Sequence, residues 1–198
     1  MFERLFSILP DAQVLKEDVN MVDGAQDELN GLHPEKLKAI LDSFQQEDVF
    51  KAVSGPWRSR VRWVSGFRAK AYMRTHEVEM DEPTDLDATD KAASAHEQLL
   101  SAIGACMTVG FVLNATKRGI KIHDLEIAME GNFENIRKWA GVDNSGSPRY
   151  GDISAKLFVK ADADEQTLRD IWKLAIDGSP VTQTVVKGAN VHTDFEAI

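Results

Sequence analysis

Between Ser94 and Gly119 the chain carries a helix with no polar side. Ser94-Ala95-His96-Glu97 fits a capping box, with a hydroxyl at N-cap and a carboxylate three residues on. Arg118-Gly119 closes the run with a basic residue and then a glycine suited to the position after the C-cap. Between these signals Leu99, Leu100, Ile103, Met107, Phe111 and Leu113 point in several directions around the axis, and Cys106 sits in the middle. A helix of this kind has nowhere to face water, so the reading is a buried central helix around which the remaining elements pack. It is not read as a membrane span. Its apolar stretch, Leu99 to Leu113, is interrupted by Ser101, Gly104, Thr108 and Gly110 and falls short of the ~20 residues a bilayer needs.

The flanks supply that packing. With 198 residues the expectation is one domain and an appendage. At 43% hydrophobic and 28% charged, the chain can build a real core, which excludes a disordered or disulfide-stapled chain. Residues 1–54 hold eleven acids against five bases and read as an acidic helical arm, packed on the domain or on a partner. The segment Asp11–Asn30 reads as loop or weak helix. Met1–Pro10 lacks the apolar core of a signal peptide. Within the arm, Leu37, Ile40, Leu41 and Phe44 are spaced as one helix stripe, predicting a helix over Pro34–Ala52 that Ser54-Gly55-Pro56 breaks.

From residue 55 to 198 the reading is one α+β domain. Three alternating runs, with Arg58, Arg60 and Arg62, then Arg68, Lys70 and Tyr72, then Glu77 and Glu79, predict an antiparallel meander. Past the central helix, Ile122–Glu130 and Ile153–Val159 read as strands. Asp164 caps a helix that ends at Gly178, and Ser179-Pro180 opens a short last one. A final strand is expected over Ala189–Glu196. The order is three strands, helix, two strands, two helices and a strand, which is not a βαβ alternation.

A formal charge of −9 argues against nucleic acid as a partner. The five histidines, His33, His76, His96, His123 and His192, lie in different elements without ligand spacing, so no metal is expected. No glycine-rich nucleotide loop and no serine-hydrolase motif is present, so no cofactor is expected either. Cys106 is the single cysteine, which excludes an intrachain disulfide and fits a reducing, cytoplasmic setting. By residue type it is either a small core residue or, beside a cation, a reactive thiol.

The run Gly66-Phe67-Arg68-Ala69, then His76, Asp81-Glu82-Pro83, Glu97 through Cys106, Arg118-Gly119-Ile120 and Ser179-Pro180-Val181 resembles the OsmC/Ohr family over about residues 57–196. The resemblance implies antiparallel sheets around long central helices in an interleaved homodimer, with active sites at the dimer interface. A helix apolar on all sides needs more cover than a three-strand sheet gives, which agrees with a second subunit. The resemblance also implies reduction of organic hydroperoxides: Cys106 as the reactive cysteine, Arg68 as the arginine that stabilises its thiolate, and Glu97 as the glutamate that orients Arg68. A guanidinium favours thiolate over thiol and can neutralise the alkoxide released on O–O cleavage.

Three features depart from the family pattern. The Asn-Pro or Thr-Pro before the glutamate is here Ser94-Ala95-His96. The resolving cysteine is replaced by Ser179, which cannot close a disulfide, so turnover would need an external thiol. Glu97 lies nine residues before Cys106; a spacing of ten, used by the hydroperoxide-resistance branch, would select His96. Two readings stay open. One is single-cysteine hydroperoxide chemistry. The other is a non-catalytic dimer that binds a small apolar ligand, with Cys106 buried and inert. A further expectation is that the acidic arm serves partner binding.

Overall fold

The structure, a computed structural model, describes residues 28–197. The loop or weak helix expected over Asp11–Asn30 lies almost wholly outside the described residues, as does the first half of the arm. The central helix, α3 (Ala95–Lys117), runs for 23 residues, and both of its ends form as the sequence prescribes. The Ser94 hydroxyl accepts the Glu97 amide while the Glu97 carboxylate accepts the Ser94 amide. At the other end Gly119, at φ +70°, lets the Ile120 amide reach the Ala115 carbonyl at 3.0 Å and the Gly119 amide reach Thr116 at 3.0 Å. That pair of bonds satisfies carbonyls the helix would otherwise leave open.

By length and composition alone α3 could cross a membrane. Its packing reads differently. Ile103, Met107, Phe111 and Ala115 recur every fourth residue and are buried. They face a two-stranded ribbon, β4 (Ile122–Phe133) and β5 (Tyr150–Ala161), and the helix α5 (Glu165–Asp177). Phe111, Ala115, Ile120, Ile171 and Ala175 form the core, with Leu125, Leu157, Leu168 and Trp172 packed against it. Gly110 permits the crossing of α3 and α5: a Cβ there would sit 3.1 Å from the Ala175 Cα. The opposite side of α3 is bare within the chain. Val109 is 68% exposed, Leu99 is 40% exposed, and Cys106 is half-buried between them. The expected burial on all sides is therefore met on one side only, because one chain has enough elements to cover one face.

The meander forms as expected, with β1 (Arg60–Ser65), β2 (Arg68–Met73) and β3 (His76–Met80) antiparallel in that order. Its β1 strand is exposed along its whole length. A hydrogen bond from the Gln98 side chain to the Glu79 carbonyl, at 2.7 Å, ties β3 to the start of α3.

Two further expectations need correction. The helix over Pro34–Ala52 is two helices, α1 (Pro34–Ser43) and α2 (Glu47–Ser54). The amides of Phe44, Gln45 and Gln46 bond back only three residues, which tightens the turn and stops α1. The apolar positions slip with it, from Leu37 and Leu41 to Val49, Phe50 and Val53. The final strand over Ala189–Glu196 is not formed: the segment joins no ladder, and Val191 and Phe195 are exposed. Alternation sets two faces but does not supply a neighbouring backbone. Between the two ribbon strands lies a one-turn helix, α4 (Ile136–Trp139), started by the Asn135 side chain. The last helix, α6 (Pro180–Lys187), forms as expected.

The arm is anchored at a point the sequence reading passed over. Asn30 and Gly31, both at positive φ, make a two-residue turn that pairs Leu29 with Leu32. The Asn30 amide donates to the Thr116 hydroxyl at 3.0 Å and the Ile120 carbonyl at 2.9 Å, and its oxygen accepts the Ile122 amide at 2.8 Å. Asn30 thus pins the arm to the C-terminal end of α3. Leu37 and Leu41 of α1 line a cleft of about 290 Å³ with Thr116 and Lys117, while Ile40 and Phe44 stay exposed.

Candidate functional site

Cys106 lies two turns into α3 from the Gln98 contact, on the stripe that also carries Leu99, Ala102 and Val109. Its neighbours on the packed side, Ile103 and Met107, are 2% and 5% exposed. The helix phase thus keeps the thiol out of the core and sets it on the edge of the uncovered apolar face.

Arg68 opens β2 immediately after the Gly66-Phe67 turn, where the β1–β2 register slips between Trp63 and Ser65. Its guanidinium Nη2 donates to Glu79 Oε2 on the next strand at 3.3 Å. The same Glu79 is 3.9 Å from the Lys70 ammonium, which pairs more closely with Glu77. Just beyond β3 stands Asp81, at 2% exposure the most buried acid of the described residues. Its carboxylate accepts the Glu82 and Lys91 amides and the Thr89 hydroxyl. These bonds, the Thr89 hydroxyl first, hold the Asp81 carboxyl below its ordinary pKa, and the Arg68 charge adds to them. Asp81 thus organises the loop that delivers the chain to Ser94.

Glu97 is committed elsewhere. Its Oε2 accepts the Ser94 hydroxyl at 2.6 Å and the Ser94 amide at 2.8 Å. The Ser94 hydroxyl is the main reason its carboxyl stays below the ordinary range, with the Ser94 amide and the nearby His96 acting in the same direction. His96 places its Nε2 3.0 Å from the Ser94 hydroxyl and meets the Phe133 ring edge-on at 5.2 Å. Phe133 in turn stacks on Tyr150 at 4.6 Å, and the Tyr150 hydroxyl donates to the His96 carbonyl at 3.1 Å. Burial, and then the Glu97 charge, push the Tyr150 phenol above its ordinary pKa. No sequence pattern announces this ring cluster, because its members are far apart in the chain. Glu79 was accessible to sequence reasoning, since the alternation places it on the face that carries Arg68.

Ser179 is 1% exposed and serves as the cap of α6. Its Oγ accepts the Thr182 amide at 3.2 Å and the Thr182 hydroxyl at 2.8 Å. Among the described residues no cluster of histidine, cysteine or acidic side chains could hold a metal. Within one chain, then, the hydrogen bonds bring Arg68 to Glu79 and Glu97 to Ser94, and neither of them to Cys106.

A comparison with curated proteins finds no match. Solved structures agree in fold at low identity. An OsmC-like protein from Mycoplasma pneumoniae superposes with a TM-score of 0.57 at 17% identity, covering 68% of this chain and 89% of that one. An OsmC-like protein of unknown function from Vibrio cholerae O1 gives 0.55 at 10% identity, over 66% of this chain and 93% of that one. A hypothetical protein from Aquifex aeolicus gives 0.53 at 18% identity, over 69% and 91%. A family model described as OsmC-like protein matches residues 88–194, from the loop before α3 to beyond α6. The match spans more than half of the sequence and takes in both Cys106 and Ser179: the chain belongs to the OsmC-like protein family.

Proposed function

We propose that this OsmC-like protein reduces organic hydroperoxides with Cys106 alone, as a homodimer in a reducing, cytoplasmic setting, and draws on an external thiol. The observation that carries this reading is the placement of Cys106: on the open apolar stripe of α3, half-buried, one helical step away from the core residues Ile103 and Met107. A thiol there can be reached by a substrate with an apolar body, and a second subunit laid along the stripe would enclose it. The bare β1 strand and the acidic arm would belong to the same assembly, the arm packing on the body or on the partner.

In the reaction the Cys106 thiolate attacks the distal oxygen of the hydroperoxide. An S–O bond forms, the O–O bond breaks, and the alkoxide takes a proton to leave as an alcohol. Cys106 is then a sulfenic acid. One external thiol displaces water from it to give a mixed disulfide, and a second thiol releases Cys106 and leaves as its own disulfide. Arg68 would favour the thiolate and the departing oxyanion by charge. Ser179 cannot replace the first external thiol, so turnover depends on thiol concentration.

Mass spectrometry of the reduced protein after treatment with tert-butyl hydroperoxide tests this. One added oxygen on Cys106, trapped by a sulfenate reagent and absent in Cys106→Ser, is the expected result. Under excess peroxide without thiol, the modification should advance irreversibly to the sulfinic acid. An unmodified Cys106 under conditions that oxidise free cysteine would overturn the reading and leave the binding of a small apolar ligand in its place.

A further inference from the structure

Resting on that reading, we infer that Glu79 is the positioning residue for the Arg68 guanidinium, with the buried Asp81 behind it, and that Glu97 serves the α3 cap. Each carboxylate already has a bonded role. Glu97 turns back on the helix start, where one oxygen accepts both the hydroxyl and the amide of Ser94. Turning it toward Arg68 would open the capping box and strip the buried Ser94 of its carboxylate acceptor. Glu79 carries no such duty. It already accepts from Arg68 Nη2, and its own backbone carbonyl is fixed by Gln98 of α3. The residue that holds the arginine is thereby tied to the helix that carries Cys106.

Asp81 acts through charge. Both of its oxygens are occupied by the Glu82 and Lys91 amides and the Thr89 hydroxyl, so it offers Arg68 a fixed negative field without competing for its N–H groups. Glu79 occupies one nitrogen of the guanidinium, and the remaining donors of the fork, which make no hydrogen bond among the described residues, can meet a thiolate or a departing oxygen. Lys70 is the other cation within reach of Glu79, at 3.9 Å, and its closer bond to Glu77 leaves Glu79 to Arg68.

The test reads the sign of a shift. The rate of Cys106 alkylation by iodoacetamide is followed against pH in the full-length protein. The variants are Arg68→Ala, Glu79→Gln, Glu79→Asp, Glu97→Gln and, as a control for surface charge, Glu77→Gln. Removing a nearby anion that merely sits beside the site lowers a thiol midpoint or leaves it unchanged. Removing the anchor of Arg68 raises it. We expect Glu79→Gln to raise the midpoint in the same direction as Arg68→Ala and to slow sulfenate formation by about tenfold. Glu79→Asp should recover most of the loss, and Glu77→Gln should leave the profile in place. A midpoint unchanged or lowered in Glu79→Gln, with Arg68→Ala still raising it, overturns the assignment and leaves the hydroperoxide reading intact. The same holds if Glu97→Gln gives the upward shift and Glu79→Gln does not. If Arg68→Ala itself moves nothing, both fall.

Discussion

The two halves of the molecule satisfy their apolar residues in different ways. In the body formed by α3, β4, β5, α5 and α6, large side chains are enclosed: Phe111 and Ile171 are 0% exposed. In the meander and the arm, Trp57 is 74% exposed, Trp63 is 75% exposed, and neither α1 nor α2 buries a single residue. Alternation is equally clear in both halves, so strand patterning does not separate them, although side chains cap α3, α5 and α6 and none caps α1 or α2. What separates them is the number of layers. A sheet or helix is stable when its apolar side meets a second layer. The body has ribbon against helix against helix, whereas the meander presents one layer, with β1 exposed along its whole length among the described residues.

The largest effect should come from the body. Phe111→Ala removes a fully enclosed ring, and a loss of about 3–5 kcal/mol is expected, the same at every protein concentration, by denaturant unfolding. A mutation on the meander should behave otherwise. Val61→Asp places a carboxylate on a strand position now 62% exposed, where a solvated face would tolerate it. Under a second subunit the same charge costs on the order of 3 kcal/mol of association free energy. Sedimentation equilibrium should show a weakened dimer, and unchanged association would mean that the meander faces water. Next comes the joint between the halves. Asn30→Ala deprives Thr116, Ile120 and Ile122 of their partners at once and should cost about 1–3 kcal/mol, with faster proteolysis near residue 33.

The smallest is the cap. Ser94→Ala should cost about 1 kcal/mol at neutral pH. Because Ser94 holds the Glu97 carboxyl below its ordinary pKa, that contribution is present above the usual glutamate range and is lost as the pH falls through the depressed value. Thermal unfolding of the two proteins should therefore converge in acid. A gap that stays constant would detach the cap from the Glu97 carboxylate.

The fold was legible wherever one stretch of chain determines one element. Ser94 and Gly119 mark both ends of α3, and Asp164 and Ser179 each cap the helix that follows. It was less legible where an element depends on a neighbour. Residues Ala189–Glu196 alternate like a strand and find no edge, and Gln45-Gln46 reads as helix interior although it is the break between α1 and α2. For the site, Cys106, Arg68, Glu97 and Ser179 were all named from sequence through family resemblance. Their bonding was legible in part: the capping box points Glu97 to Ser94, whereas alternation puts both Glu77 and Glu79 on the face of Arg68 and only the fold selects Glu79. Asp81 was hidden for the same reason: burial is decided by the loop that folds over it.

The Asn30 contact also bears on how the meander can travel. Asn30 is pinned at the C-terminal end of α3 and Ser94 at its N-terminal end, so the whole excursion from residue 31 to 93 is rooted at both ends of one rod about 34 Å long. A sheet on a single leash could swing through any arc its linker allowed. One slung between two posts can only rock about the line that joins them. That geometry confines where the exposed tryptophans can point, and it prepays part of the chain entropy that ordering them against a second layer would otherwise cost.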